Sequence, residues 1–408
     1  MAILILVLII VLLVTVCLAG FLFLLIRSDI SPRIAIEKIK NRFRKNPPAL
    51  LPDFRDAPYR RLTDQPPRHY PVLLNLQTSE GTGQACHPDV TYVSEGFGSE
   101  RWRYWMVCTP YAYAHFVHEN PEIFTSHDGI HWTIPDGVTN PLIFRPEGAW
   151  DYNSDPDMFF LNGKLWLYYR ETRHAQGPLE TRIYLSTSGD GAHWTSPVEV
   201  LFAQGDEALL MSPAVIYQNG AFHMWAVDRA ANGFQVMRRQ SADGFKWSTP
   251  VRCALVGLHE REPWHLDVTC EEGRLSALLV SLNTPPDWRL HYAYSFDEGN
   301  TWNVEGFLLE PAYEFEETLQ YRATLLKTGS NPHIYRIWYS AGNRRHRFLI
   351  AHQVMIRKNN SLAPVADFGP AYVESEAQRS ADCSGAEALA GVRAGGGHGT
   401  AFGNGSVS

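Results

Sequence analysis

The feature that most restricts what this chain can fold into is a turn that returns four times. It reads Ser126-His-Asp128-Gly129-Ile-His-Trp132, Ser188-Gly-Asp190-Gly191-Ala-His-Trp194, Ser241-Ala-Asp243-Gly244-Phe-Lys-Trp247 and Ser295-Phe-Asp297-Glu-Gly299-Asn-Thr-Trp302. The tryptophans stand 62, 53 and 55 positions apart. In such a turn the Ser and Asp side chains satisfy backbone groups, Gly takes φ > 0, and Trp folds back onto a sheet. A repeat of this length holds about four short strands, which is the signature of propeller blades.

A strand pair precedes each turn. The first strands open at His87-Pro-Asp89, Asp155-Pro-Asp157, Ser212-Pro-Ala214 and His265-Leu-Asp267, and a fifth at Tyr321-Arg322 has no such turn after it. Their partners run from Arg103, Leu165, Phe222, Leu275 and Tyr335. Between the second pair stands Asn162-Gly163, the strongest short hairpin signal. The fold class is therefore all-β, a five-bladed β-propeller over 69–358, with an edge-to-edge β-sandwich as the alternative. The turns resemble the Asp-boxes of sialidases and many other propellers, a likeness that speaks for architecture and not for chemistry.

In a propeller the first strand of each blade lines the axis, and residues i and i+2 of a strand share a face. The five openings should then form one ring: His87 and Asp89, Asp155 and Asp157, Ser212, His265 and Asp267, and Tyr321 with its neighbour Arg322. Arg170-Glu171, Asp228-Arg229 and Thr109 close the second strands at the same end. Polar groups gathered at one end of otherwise apolar strands need partners or water, and a wet channel mouth supplies both. Turn chemistry is the competing explanation for any single Asp-Pro. Trp102, Trp150, Trp264 and Trp288 lie near blade ends, where they can stack on sugars or simply pack.

The blade pattern and the Asp-Pro openings resemble five-bladed glycoside hydrolases of the family 43, 32 and 68 type over about 290 residues. The run Tyr104 to Tyr111 followed by Glu119-Asn120-Pro121 is similar to that of bacterial propellers carrying the same turns. The first resemblance implies a base or nucleophile, a second Asp that tunes the acid, and a Glu as general acid. Asp155 matches the second-blade Asp. The first-blade carboxylate falls at His87, with Asp89 two residues on, and the third-blade Glu falls at Ser212, where no acid stands. Glu171, Glu207, Asp228 and Glu262 are its possible replacements. The expected catalytic set is Asp89, Asp155 and Asp157, with His87, Arg170, Glu171, Asp228, Arg229, His265, Asp267 and Arg322 binding substrate. Two carboxyls about 5 Å apart, or 6.5–9.5 Å, suit glycoside cleavage. A sialidase would use an arginine cluster, which Arg170, Arg229 and Arg322 can supply, but no Tyr–Glu nucleophile pair is identifiable. No cofactor is required, although His87, Asp89, His265 and Asp267 can hold an axial metal ion such as calcium.

The ends differ from the body. Ala2 to Ile26 is apolar apart from Thr15 and Gly20, long enough at about 1.5 Å per residue to span a hydrocarbon core of about 30 Å. A cleaved signal peptide would be shorter and begin with basic residues. Arg27, Arg33, Lys38, Lys40, Arg42, Arg44 and Lys45 follow, so charge places the body of a single-pass protein in the cytoplasm. Residues 27–68 read as a basic juxtamembrane segment and Pro-rich linker, and 359–408 as a disordered Ala-, Gly- and Ser-rich tail. The net charge of −7 argues against a nucleic-acid partner, since no strongly basic face is implied outside the N-terminal segment. Cys86, Cys108, Cys253 and Cys270 fit no zinc spacing and read as free thiols, with Cys86–Cys108 or Cys253–Cys270 pairing as the alternative. The expectation is a membrane-anchored propeller that hydrolyses a bacterial glycan. A non-catalytic glycan-binding scaffold in polysaccharide assembly is the alternative.

Overall fold

Local turn chemistry builds the hairpins. Asn162-Gly163 and Asn219-Gly220 join first and second strands with both residues at positive φ (50° and 75°, 53° and 82°), the geometry that matches the twist of the strands they connect. The computed structural model describes residues 60–365 apart from 65–66, 149–150, 175–177, 206–208, 231–232, 272, 284–286 and 331–332. The expected membrane span, the basic segment, Trp150, Glu207 and most of the tail lie outside the described residues. Among the described residues no helix is long and apolar enough to cross a membrane.

Five antiparallel sheets result. The inner strands are Ala85–Phe97, Tyr152–Leu161, Met211–Gln218, Glu262–Glu271 and Leu319–Ser330. Each packs on the next, and the fifth packs on the first, closing the ring of a five-bladed propeller. Blade one has three strands, and blade four gains a parallel outer strand, Ala254–Val256. The outer edge of blade five is completed by a strand from before the first blade, Val72–Leu73, and one from after the last, Ser361–Pro364. The propeller therefore runs past the expected limit at 358, because a strand from beyond it pairs with Met355–Lys358.

The apolar core is divided into five wedges, one per blade seam. Trp105, Met158 and Leu167 fill the first, Tyr168, Val215 and Met224 the second, and Trp225, Leu266 and Trp302 the third. Leu278, Leu325 and Ile337 fill the fourth, and Tyr104, Met106 and Trp338 the fifth. The four recurrent turns lock these wedges. In each, Ser Oγ accepts from the Gly N–H, and Asp Oδ1 accepts two backbone N–H groups further on in the first three turns and that of Thr301 in the fourth. Each turn then reaches the preceding blade: Gly129 O accepts from Trp338 Nε1 at 2.9 Å, Gly244 O from Tyr168 Oη at 2.9 Å and Gly299 O from Trp225 Nε1 at 3.1 Å. Gly191 lies against the Trp105 ring. Blade five has no such turn, and at its seam with blade four Glu271 instead gathers Tyr335, Arg357, Arg274 and Ser276.

These contacts set a testable contrast. A Cβ on Gly191 would stand 2.1 Å from Trp105 Cη2 at φ 82°, whereas one on Gly163 at φ 75° meets nothing within 4 Å. Gly163→Ala is expected to cost about 1 kcal/mol. Gly191→Ala should cost about 2–4 kcal/mol through strain added to overpacking. Denaturant unfolding of the two variants compares them directly, and equal losses would mean that the turn does not clamp its neighbour. Cys86, Cys108, Cys253 and Cys270 form no disulfide with one another, so neither possible pairing is made.

Candidate functional site

The inner strands do not start as regular strands. His87, Asp155 and Ser212 sit at φ 54°, 49° and 57°, and the ladder register shifts at each. Positive φ in residues other than Gly costs of order 1–3 kcal/mol and marks sites where the surroundings enforce it. In all three the next residue is proline, Pro88, Pro156 or Pro213, so the bulge leaves no N–H without a partner. Blade four has Leu266 there, and its N–H finds Ser212 Oγ at 3.3 Å while that hydroxyl donates to Leu266 O at 3.0 Å. Ser212 thus joins two blades at the position where the hydrolase pattern calls for an acid.

The bulges aim side chains at the axis in two layers. The upper layer holds His87, Asp155 and His265, whose candidate ligand atoms all lie within 4.8 Å of one another. His87 Nε2 and His265 Nδ1 approach the same oxygen, Asp155 Oδ1, at 3.3 and 3.5 Å. The other oxygen, Oδ2, takes Arg170 Nε at 2.9 Å and Ser212 N–H at 3.3 Å. Thr109 Oγ1 donates to Cys86 O and so accepts from His87 Nδ1–H at 3.0 Å, which turns the Nε2 lone pair toward the carboxylate. Asp155 Oδ1 and both ring nitrogens of His265 have no hydrogen-bond partner among the described residues.

Electrostatics sharpen this arrangement. Burial drives the His87 imidazole down to about 4, only partly offset by Asp155, and drives His265 well below its ordinary value for the same reason. Both are neutral at pH 7, so neither contact with Asp155 is an ion pair. Burial, the largest single influence, would raise Asp155, but Arg170 together with His87, His265 and Arg322 outweighs it and holds the carboxyl well below the usual range. The Nε2 lone pair of His87, the His265 ring and one anionic oxygen thus converge on a single buried point.

The lower layer holds Asp89, Asp157 and Asp267, again with carboxylate oxygens within 4.8 Å of one another. Each spends an oxygen on the backbone N–H of the following blade: Met158, Val215 and Leu325. Thr324 donates to Asp89 as well, at 3.0 Å. Arg322 is the charge among them, fully buried, with its Nη2 3.9 Å from Asp157 Oδ1. Burial and the neighbouring acids push Asp157 well up and Asp267 to about 7. The structure therefore places Asp89 and Asp157 one layer beneath Asp155, in the machinery that closes the ring.

Several expected members stand apart. Glu171 pairs with Arg173 and Arg182. Asp228 accepts from Leu210 N–H and pairs with Arg239, and Arg229 lies over Phe234. Neighbours on a strand face opposite ways, so Arg170 reaches the axis and Glu171 cannot. Trp102 begins its strand and pairs with Phe97, at the end of the propeller opposite the ring. Trp264 and Trp288 do stand at the mouth, where Tyr321 lies 4.5 Å from the His265 ring and accepts from Trp264 Nε1 at 2.6 Å.

Glu119 is the residue that sequence reasoning passed over. It sits in the Tyr111–Pro121 connection of blade one, buried, and burial beside Asp155 raises its carboxyl well above the ordinary value despite Arg170. The available signal was length: this connection between second and third strands is longer than its counterparts in the other blades, and long loops on a rigid scaffold carry function.

No family model matches the chain. A curated relative, the A type blood N-acetyl-alpha-D-galactosamine deacetylase of Flavonifractor plautii, is 28% identical over 311 residues, 63% of this chain. The chain spans 40% of that relative's length. Among solved structures, an N-acetylgalactosamine deacetylase from F. plautii in complex with blood group B trisaccharide superposes with TM-score 0.61 at 23% identity, over 71% of this chain and 95% of that one. A thermostable family-43 glycoside hydrolase gives 0.51 at 14% identity (70% and 96%). A family-43 enzyme from Xanthomonas citri complexed with xylose gives 0.52 at 14% (74% and 95%). The chain is thus a five-bladed β-propeller whose structural neighbours include both family-43 glycoside hydrolases and a deacetylase.

Proposed function

We propose that this protein is a glycan-acting hydrolase that removes an acetyl group from an N-acetylated sugar, using a divalent cation held by His87, Asp155 and His265. The observation that carries this reading is the convergence of His87 Nε2, Asp155 Oδ1 and His265 on one buried point. The residues fit a cation: the imidazoles are neutral, the carboxylate is ionised, and the groups behind them fix their orientation. Two imidazoles favour a first-row transition ion over calcium, which prefers an all-oxygen shell. A cation there would supply Lewis acidity toward the acetamide carbonyl.

The chain's own groups account for the rest. Water adds to the carbonyl carbon and gives up a proton to solvent, the C–N bond breaks as the nitrogen takes a proton, and acetate and a free amine leave. Glu119, kept protonated beside Asp155, holds a proton for the departing amine. Tyr321 accepts from Trp264 and so keeps its own hydrogen to donate to the carbonyl oxygen as that oxygen gains charge. The deacetylase likeness supports this reading, and Ser212 in place of an acid weighs against the three-carboxylate mechanism.

Glycoside hydrolysis is the second reading, favoured by one observation: Glu119 is pushed up while Asp155 is held down, as an acid–base pair requires. Products separate the two. Incubation with the blood group A trisaccharide and with N,N′,N″-triacetylchitotriose should release acetate, abolished by chelation and restored by zinc or manganese. Release of reducing sugar that withstands chelation would favour the glycosidase. For location, the reading is a single-pass anchor at Ala2–Ile26, with the charge pattern placing the propeller in the cytoplasm. Protease accessibility in intact cells tests the side.

A further inference from the structure

We propose that Asn153 is a positioning residue: its side-chain amide fixes the loop that carries Glu119 against the strand that carries Asp155. The inference rests on the role given to Glu119 above and holds for either reaction, since both need its proton.

The loop has little to fix it from within. Between Tyr111 and Pro121 the chain makes two turns of 3₁₀ helix, Ala112–Ala114 and Phe116–His118, of three residues each. Tyr113 and Ala114 stand at φ 53° and 58°. Runs so short hold a backbone loosely, so the place of Glu119 depends on bonds to the blades. A proton donor displaced by about 1 Å loses about 10²-fold in rate.

Asn153 makes those bonds. It lies in the inner strand of blade two, two residues before Asp155, and is 1% exposed. Its backbone N–H donates to Glu119 O at 3.1 Å. Its Nδ2 donates to Asn120 Oδ1 and to Phe144 O, both at 3.1 Å. The segment that carries Phe144 O is anchored in turn. Leu142 N–H donates to Pro121 O at 2.8 Å, and the Asn140 amide exchanges two bonds of 3.0 Å with the backbone of Ile123. One residue thus ties the strand of Asp155, the loop of Glu119 and the segment 140–144 into one unit.

The amide is there for its nitrogen. Phe144 O can only accept, so the atom facing it is Nδ2, and Asn153 Oδ1 is left buried with no hydrogen-bond partner among the described residues. An unpaired buried amide oxygen costs stability that an apolar side chain of the same size would not. The clamp on the Glu119 loop offsets that cost. Different groups hold the proposed cation ligands: Arg170 and Ser212 N–H on Asp155, and Thr109 on His87. Loss of the amide should therefore misplace the proton donor and leave the cation site unchanged.

A double-mutant cycle on the full chain tests this. Acetate release is followed on the blood group A trisaccharide and N,N′,N″-triacetylchitotriose, and zinc affinity by calorimetry of the metal-free protein. Asn153→Ala, which keeps the backbone N–H, should lower kcat at least about tenfold while zinc affinity stays within about twofold. Glu119→Gln should lower kcat about 10²-fold or more, and Asn153→Ala added to it should cost no more than about threefold further. Asn120→Ala removes the same bond from the loop side. It should lower kcat at least about fivefold with the same lack of additivity, and it carries the test if Asn153→Ala does not stay folded. A smaller loss of kcat, a larger further loss in the double variant, or a fall in zinc affinity that matches the fall in kcat would each overturn the positioning role. Glu119→Gln at the wild-type rate would remove the proton donor and this inference with it, and leave the cation site standing. Release of reducing sugar in place of acetate would overturn the deacetylase reading alone, and the cycle is then read on that product. Release of neither would overturn both.

Discussion

Asp155→Asn is expected to lower acetate release by about 10³-fold or more while leaving the propeller folded, a barrier increase of about 4 kcal/mol. The substitution keeps the shape of the group. Its carbonyl can still accept from Arg170 and from Ser212 N–H, which now meet Asp155 Oδ2. Its amide would face His87 and His265 and fill with N–H donors the point where a cation is proposed. The charge that draws a cation is lost, and the imidazoles gain a neutral partner. The stability consequence has a defined sign. Because Asp155 is held below the ordinary carboxylate range, its stabilisation is present above the unfolded value of about 3.9 and fades as pH falls through the folded one. The variant lacks that acid-side loss, so its stability should change less than the wild type's on acidification. Acetate assays at saturating metal, with thermal unfolding at pH 7 and pH 3, check both parts. Activity within tenfold of wild type would remove Asp155 from the reaction.

Arg322→Met should act on the fold, at about 3–5 kcal/mol, the usual cost of stripping one partner from a buried charge cluster. For a domain of this size that is a fall in Tm of about 10 °C. Arg322 is fully buried and its guanidinium nitrogens have no hydrogen-bond partner among the described residues. Its work is electrostatic: it is the cation among Asp89, Asp157 and Asp267. Without it the three carboxyls are pushed further up and share protons. Groups whose folded pKa lies above the unfolded value stabilise at low pH and lose that contribution as pH rises through the folded one. The deficit should therefore be larger at pH 8 than at pH 5. A uniform deficit, or none, would show that Arg322 does not neutralise the lower layer.

The architecture was legible because it is written in a repeat. The turns at Trp132, Trp194, Trp247 and Trp302 and the i, i+2 openings carry their own geometry, and alternation along a strand is enough to bring His87, Asp155 and His265 to one axis. Two layers were not legible. The bulges at His87, Asp155 and Ser212 separate i from i+2 by depth, and nothing in strand periodicity announces a positive φ. The fifth opening was read as Tyr321 with Arg322 as its neighbour. Arg322 and Thr324 align with the i and i+2 residues of the other blades, and without an Asp-Pro or a following turn that register could not be fixed. Glu119 lies in a connection with no period at all. Trp102 stands at the far end because a second strand begins where the first one finishes.

The central claim is that a cation sits between His87, Asp155 and His265. Crystals of the full chain soaked in zinc and measured at its absorption edge test it most directly. The expected result is one anomalous peak bounded by those three side chains, absent from Asp155→Asn crystals. A peak only among Asp89, Asp157 and Asp267, or none on the axis, would contradict it.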